Sequence, residues 1–196
     1  MPGLETLIPG LAEAEATYRE TQLEAFLDVE PAIGGVVLLR GFTPQMHLEL
    51  EAAGNACVID GRRPSMADVL QFLWRCSEGF ERNAPEKRAM FWQACSLLEF
   101  VATVVEIDQY LIRAWKGQPH WSTGGPKSAG VWPAMIVHVV ARAYGWPEKT
   151  ILNTPFRRLW QYMHRILEEK NPDYRHINPD VMKLRADWLI AQNRRN

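Results

Sequence analysis

Apolar residues return every three or four positions along most of this chain, the period of an α-helix that buries one face. Over Leu11–Leu27 the stripe is thin (Leu11, Ala14, Tyr18 and Phe26 among Ala and Glu) and predicts a peripheral amphipathic helix. Residues 44–53 place Met46, Leu50 and Ala53 on one face. Met66–Cys76 does the same with Met66, Val69, Leu70, Leu73 and Cys76, widened by Phe72 and Trp74. From 86 to 116 the apolar positions wrap most of the circumference. That predicts one central helix of ~31 residues, roughly 46 Å long at the α-helical rise. Residues 133–144, nearly all apolar, are expected to pack on it, and 155–169 and Pro179–Asn193 read as ordinary amphipathic helices. The expected core is Phe91, Leu98, Val101, Val105 and Ile112 with Met135, Ile136 and Val139.

The ends of these stretches carry their own signals. Proline suits the first helical position, where its missing N–H costs nothing, and a polar residue before it can cap the helix. Thr43-Pro44, Thr154-Pro155 and Asn178-Pro179 have this form, Ser65 with Asp68 is a capping-box variant, and Pro85 and Pro133 also mark starts. Gly54-Asn55, Gly79, Gly117, Gly145 and Asn171-Pro172 mark stops. Residues 35–42, Gly-Val-Val-Leu-Leu-Arg-Gly-Phe, read as extended. A lone strand makes no sheet, so its partner is expected near 57–59 or on a neighbouring subunit. Residues 117–130 hold four Gly and two Pro and predict a long mobile loop. The expected organisation is a peripheral N-terminal helix or arm at 1–30 and a helical domain at 31–196. The fold class is mainly α: a single-domain helical bundle with a long central helix and one short extended segment.

Composition adds exclusions. With 196 residues, 47% apolar, the chain can bury a real core. Its 22 basic and 23 acidic residues give a net charge of −1, so no global field favours nucleic acid or an anionic membrane. The basic end at Lys183, Arg185, Arg194 and Arg195 is diluted by Asp180 and Asp187, which leaves a small nucleic-acid-binding regulator as an alternative only. The N-terminus lacks the basic and apolar regions of a signal peptide, and no apolar run reaches spanning length, so a soluble protein is expected. Cys57, Cys76 and Cys95 are widely spaced and read as small buried hydrophobes in a reducing compartment.

Catalytic and ligand-binding patterns are few. Lys127-Ser128 follows Pro126, which lacks the N–H a phosphate loop needs, and no Glu stands three residues before any His, as helical di-iron sites require. His164 and Glu168 share a helix face and read as a solvated pair rather than metal ligands. Glu99 and Glu106 interrupt apolar surroundings on one side of the predicted long helix, with Arg142 or Arg113 as partners. A buried structural ion pair is the preferred reading; the alternative is a helical enzyme using Glu99 and Glu106 with Arg142. His138 is expected in the core. No cofactor and no metal is predicted.

Two stretches carry a family resemblance. The first runs through Val37-Leu-Leu-Arg-Gly-Phe-Thr-Pro44, Leu48-Glu-Leu-Glu-Ala-Ala-Gly-Asn55 and Asp68-Val-Leu-Gln-Phe-Leu-Trp-Arg-Cys-Ser77. The second is the Gly-Trp, Ile-Leu, Pro turn of Ala143-Tyr-Gly-Trp-Pro-Glu-Lys-Thr-Ile-Leu-Asn-Thr-Pro155. Together, over about a third of the chain, they resemble structural-module proteins of tailed bacteriophages and prophages, of the tail assembly chaperone kind. The resemblance implies a non-enzymatic role in virion assembly, in the cytoplasm of the bacterial host or in the virion. The implied partners are other phage structural proteins, or further copies of the chain. An extended segment with open edges and an aromatic on a loop both suit burial against such a partner. The contact residues expected are therefore Val37, Leu39, Phe42, His120 and Trp121, with Trp146 in the Gly-Trp turn.

Overall fold

A computed structural model describes residues 8–27, 30, 32–116, 120–121, 132–176 and 178–194, and among them the chain is mainly helical. The helices are α1 (Leu11–Leu27), α2 (Pro44–Ala52), α3 (Met66–Cys76), α4 (Pro85–Ala94), α5 (Phe100–Leu111), α6 (Trp132–Tyr144), α7 (Glu148–Leu152), α8 (Phe156–Lys170) and α9 (Pro179–Asn193).

Local chemistry explains most of the boundaries. Thr43 Oγ1 accepts from the Met46 N–H at 3.1 Å, and Asn178 accepts from the Asp180 and Val181 N–H groups. At α3 the Ser65 hydroxyl accepts from Asp68 N while the Asp68 carboxylate accepts from Ser65 N, a complete capping box. Gly145, at φ +68°, ends α6 by donating to the Ala141 carbonyl. The expected cap at Thr154 does not form. α8 starts one residue after Pro155, and Thr154 Oγ1 instead donates to the Thr150 carbonyl, closing α7, a turn too short for apolar periodicity to show.

The predicted central helix is two helices. After α4 a 3₁₀ turn, Cys95–Leu97, leads to extended Leu98 and Glu99, and α5 leaves at 112° to the preceding axis. Glu99 caps the new helix at the break. Its carboxylate accepts from the Val101 and Ala102 N–H groups at 3.0 and 2.5 Å, placing negative charge at the positive end of α5. The bend also changes which face is buried. Thr103, Ile107, Tyr110 and Leu111 point inward, while Val101, Val105 and Ile112, expected in the core, are 64, 50 and 44% exposed. Of the other expected core residues Ile136 is buried, Phe91, Leu98 and Val139 are half-buried, and Met135 is exposed.

The actual core is assembled from distant segments around Phe42. Its ring lies 6.0 Å from Phe72, 5.8 Å from Tyr110 and 5.9 Å from Phe156, in α3, α5 and α8. Leu50, Leu73, Ile136, Val140, Ile151 and Leu159 close around them. The Tyr110 hydroxyl donates to the Arg40 carbonyl at 2.6 Å, which gives its buried polar end a partner.

The extended segment pairs within the chain. Gly34 and Gly35, both at positive φ, turn the backbone so that Ile33 bridges Val37; Leu39 then bridges Ser77, with Arg40 N donating to Cys76 O and Glu78 N to Leu38 O. The partner within the chain is thus the exit of α3, not 57–59. Alternation along the segment sends Val37 and Leu39 inward, to 5 and 3% exposure; Phe42, past the paired stretch and out of that register, is also buried at 1%, while Val36 and Leu38 face outward. The first three were expected as contact residues; they belong to the chain's own core. The φ of +58° favours glycine at 34, and a Cβ there would also push the Leu98 side-chain tip aside. The Gly34 N–H donates to Glu106 Oε2 at 2.6 Å.

α1 is clamped onto α8. Arg157, 5% exposed, reaches Glu24 at 3.3 Å and Glu30 at 3.5 Å, and Arg113 also meets Glu24 at 3.3 Å. Arg158 donates to the Ala25 and Phe26 carbonyls at the end of α1. A smaller cluster of Ile8, Leu11 and Val181 joins α1 to α9. Within the predicted loop, β1 (His120–Trp121) pairs antiparallel with β2 (Arg175–His176); the remainder of 117–130 lies outside the described residues, as does Arg195. No single helix among the described residues is long and apolar enough to cross a membrane.

Candidate interaction site

The residues proposed for acid–base chemistry are not brought together. Glu99 is an exposed cap, Glu106 holds the Gly34 turn, and Arg142 is exposed. Neither carboxylate is a buried ion-pair partner, because the bend turns this side of α5 outward. Two histidine expectations are reversed. His138 is exposed, and His164 is buried with Nδ1 against the Tyr174 hydroxyl, while Glu168 pairs with Arg165 at 3.7 Å. Among the described residues no group of three or more His, Cys, Asp or Glu could hold a metal ion. Burial pushes the Cys57 and Cys76 thiols up to about 12, so both stay protonated and unreactive near neutral pH.

Trp146 is half-buried, its ring 5.6 Å from Tyr144 and 5.1 Å from Tyr162. His120 and Trp121 are described through their backbone pairing alone.

Two surface regions stand out once the side chains are placed. The first is the outer face of α5. Val101 and Val105, four residues apart in α5, share a face with Ile112, seven residues further on in the π-helical turn Ile112–Lys116 that continues α5, and all three are exposed. Val105 also edges a cleft of about 480 Å³ whose floor includes Ile59, Val104 and Ile107 and whose rim carries Asp60, Arg62 and Asp108.

The second is a cleft of about 390 Å³ between α2, α3, the 77–84 loop and α4, lined among others by Glu49, Trp74, Arg75, Phe80, Arg82 and Arg88. Glu49 Oε2 accepts from Arg75 Nε at 2.6 Å, and its Oε1 accepts from Arg82 Nη2 at 2.6 Å and Gln45 Nε2 at 2.8 Å. Burial pushes the Glu49 carboxyl up, but the hydrogen bonds from Arg75 and Gln45 and the two arginine charges outweigh it and hold the group below its ordinary value. The Arg75 and Arg40 guanidinium carbons lie 4.5 and 5.4 Å from the Phe80 ring centre, and Trp74 meets the same ring at 5.6 Å. Arg40 Nη2 donates to the Arg75 carbonyl at 2.8 Å, and its Nε is buried with no hydrogen-bond partner among the described residues. Arg40 and Arg75 also line a second cleft of about 410 Å³ with Thr43, Glu78, Asn153 and Arg158. The loop between them turns at Asn83, φ +66°, a conformation asparagine tolerates better than most residues.

Sequence reasoning missed this arginine–aromatic site. Its members stand at 40, 75, 80, 82 and 88, on four different elements, and share no period or motif. No family of known proteins, no curated protein and no solved structure matches this chain.

Proposed function

We propose that the chain is a non-enzymatic assembly protein, of the kind its likeness to phage tail assembly chaperones implies, and that it acts through contacts with other virion proteins in the bacterial host. The observation that supports this most is the outer face of α5. Val101, Val105 and Ile112 give one helix an apolar stripe beside a cleft with an apolar floor. Single exposed apolar residues are ordinary, but several on one face beside a concave floor are the usual mark of a protein contact. Trp146, tilted against Tyr144 and edge to face with Tyr162, adds aromatic surface of the sort enriched in interfaces.

The test is the native mass of the full chain, alone and co-expressed with neighbouring virion proteins, for the wild type and for Val101→Ser/Val105→Ser. A defined complex that the wild type forms and the double variant loses, with unchanged circular dichroism, supports the reading. A wild-type chain that stays monomeric with every such protein overturns it.

A further inference from the structure

We infer that two adjoining clefts that share Arg75, one lined by Phe80 and the other by Arg40, together dock an acidic segment of a partner protein. Asp or Glu carboxylates would take the arginines, and an apolar neighbour in the same segment would pack against Phe80. The inference rests on the assembly reading for the nature of the partner and on the cleft alone for its chemistry.

Charge is the first argument. The two clefts that share Arg75 are lined by Arg40, Arg75, Arg82, Arg88 and Arg158 against Glu49, Glu78 and Glu81, a surplus of two positive charges, 5 − 3 = 2. Glu81 is further neutralised by Lys87. The whole chain carries −1, so the surplus is local. Arg40 and Arg88 have no carboxylate within ion-pair distance among the described residues, and the one Glu49 carboxylate serves both Arg75 and Arg82. Like charges gathered this way repel, and an incoming carboxylate relieves that repulsion while supplying an acceptor for a buried guanidinium.

Preorganisation is the second. Arg75 is held by Glu49, Arg40 by the Arg75 carbonyl, and both lie near the Phe80 ring. Arg88 stacks on Trp92 at 5.2 Å. Guanidinium groups already fixed against rings and backbone lose little freedom on binding, and their planar donors suit a two-oxygen acceptor.

The third argument selects the kind of anion. Leu50, Trp74, Phe80 and Pro85 give the cleft apolar walls, and Glu49, Glu78 and Glu81 stand at the same site as fixed negative charges. A surplus of two matches a segment that carries two singly charged carboxylates around an aliphatic side chain. A phosphate chain, with a charge on every unit, meets those glutamates and gains nothing from the rings unless bases are splayed onto them.

The experiment is fluorescence anisotropy with the full chain and four labelled probes: a peptide alternating Asp or Glu with Leu, its Asn/Gln counterpart, a phosphoserine peptide, and a single-stranded oligonucleotide. The acidic peptide is expected to bind saturably, with the amide counterpart weaker by about tenfold or more, the scale of one charge-assisted contact. Added salt should weaken binding. Arg88→Gln and Arg40→Gln should each weaken it severalfold; Arg88 is exposed, so that variant reads the site even if Arg40→Gln fails to fold. Equal binding of the amide peptide, tighter binding of the phosphoserine peptide or the oligonucleotide, no saturable binding of the acidic peptide, or indifference to Arg88→Gln each overturns the inference. Val101→Ser/Val105→Ser separates the two proposals. Peptide binding by a wild-type chain that stays monomeric with every virion protein keeps the cleft and removes the assembly reading, whereas binding that survives in the double variant shows that the two surfaces act independently.

Discussion

α3 and α5 are helices of nearly equal length, 11 and 12 residues, both built around apolar side chains, yet the fold uses them differently. In α3 the apolar residues gather on one side and Val69, Phe72, Leu73 and Cys76 are all buried. In α5 they run right round the helix, so one side meets Phe42 and Phe72 through Tyr110 while the other leaves Val101 and Val105 facing solvent. A helix with one apolar face is satisfied by one layer of packing. A helix apolar all round is unfinished until something covers the second side.

That contrast sets a scale for mutations. Phe72→Ala removes a fully buried ring from the centre of the aromatic cluster and should cost about 3–5 kcal/mol in chemical denaturation, whereas Val105→Ala should cost less than about 0.5 kcal/mol. Similar losses at both sites would mean that the two faces of α5 are equally packed. Tyr110→Phe keeps the ring but leaves the Arg40 carbonyl without its hydroxyl donor, and should cost about 1–3 kcal/mol by the same measurement. The helix starts should respond alike despite their different chemistry. Ser65→Ala at α3 and Glu99→Ala at α5 should each lose about 1 kcal/mol. If Glu99→Ala were instead neutral, the bend would be held by packing at Leu98 rather than by the cap.

Acidification should act in two stages. Burial lowers the His47 pKa below its ordinary 6.5, although Glu51 and Asp60 pull the other way. The unfolded chain therefore takes up this proton first, and stability falls as pH drops below about 6.5. Glu49, held below its ordinary 4.5, contributes stability that is present above that pH and is lost as pH falls through the folded-state value. Melting temperatures from pH 7 to 3 should show both losses. His47→Gln should flatten the first and leave the second, a small effect beside Phe72→Ala.

The contrast also explains what could be read from residues alone. α3 was legible from both ends: Ser65 and Asp68 announce its start, and its stripe names the face that is buried. The caps at Thr43 and Asn178 were equally local. The break at Glu99 was not, because no Gly or Pro marks it and the apolar pattern runs through it without changing period. An error in one angle then moved Val101 and Val105 from centre to surface. The 35–42 segment reads as extended from its residues, but alternation alone does not say which of its two apolar faces turns inward, and it is the bridges to Ile33 and Ser77 that fix Val37 and Leu39 on the buried side. The arginine cleft lay further out of reach, since its side chains meet only after the chain has closed.

The clamp between Arg157 and Glu24 joins residues 133 positions apart, and Arg158 reaches the end of α1 across a similar gap. During synthesis, then, α1 leaves the ribosome long before the surface that will hold it exists. At ordinary elongation rates of about 5–20 residues per second, that interval is on the order of ten seconds. Through it Leu11 and Ala25, which end up buried, travel on a helix with no docking partner of its own, and contacts this distant in sequence are among the slowest to form. The segment most exposed to early proteolysis, or to capture by a chaperone, is therefore the one that ends up clamped by a buried arginine.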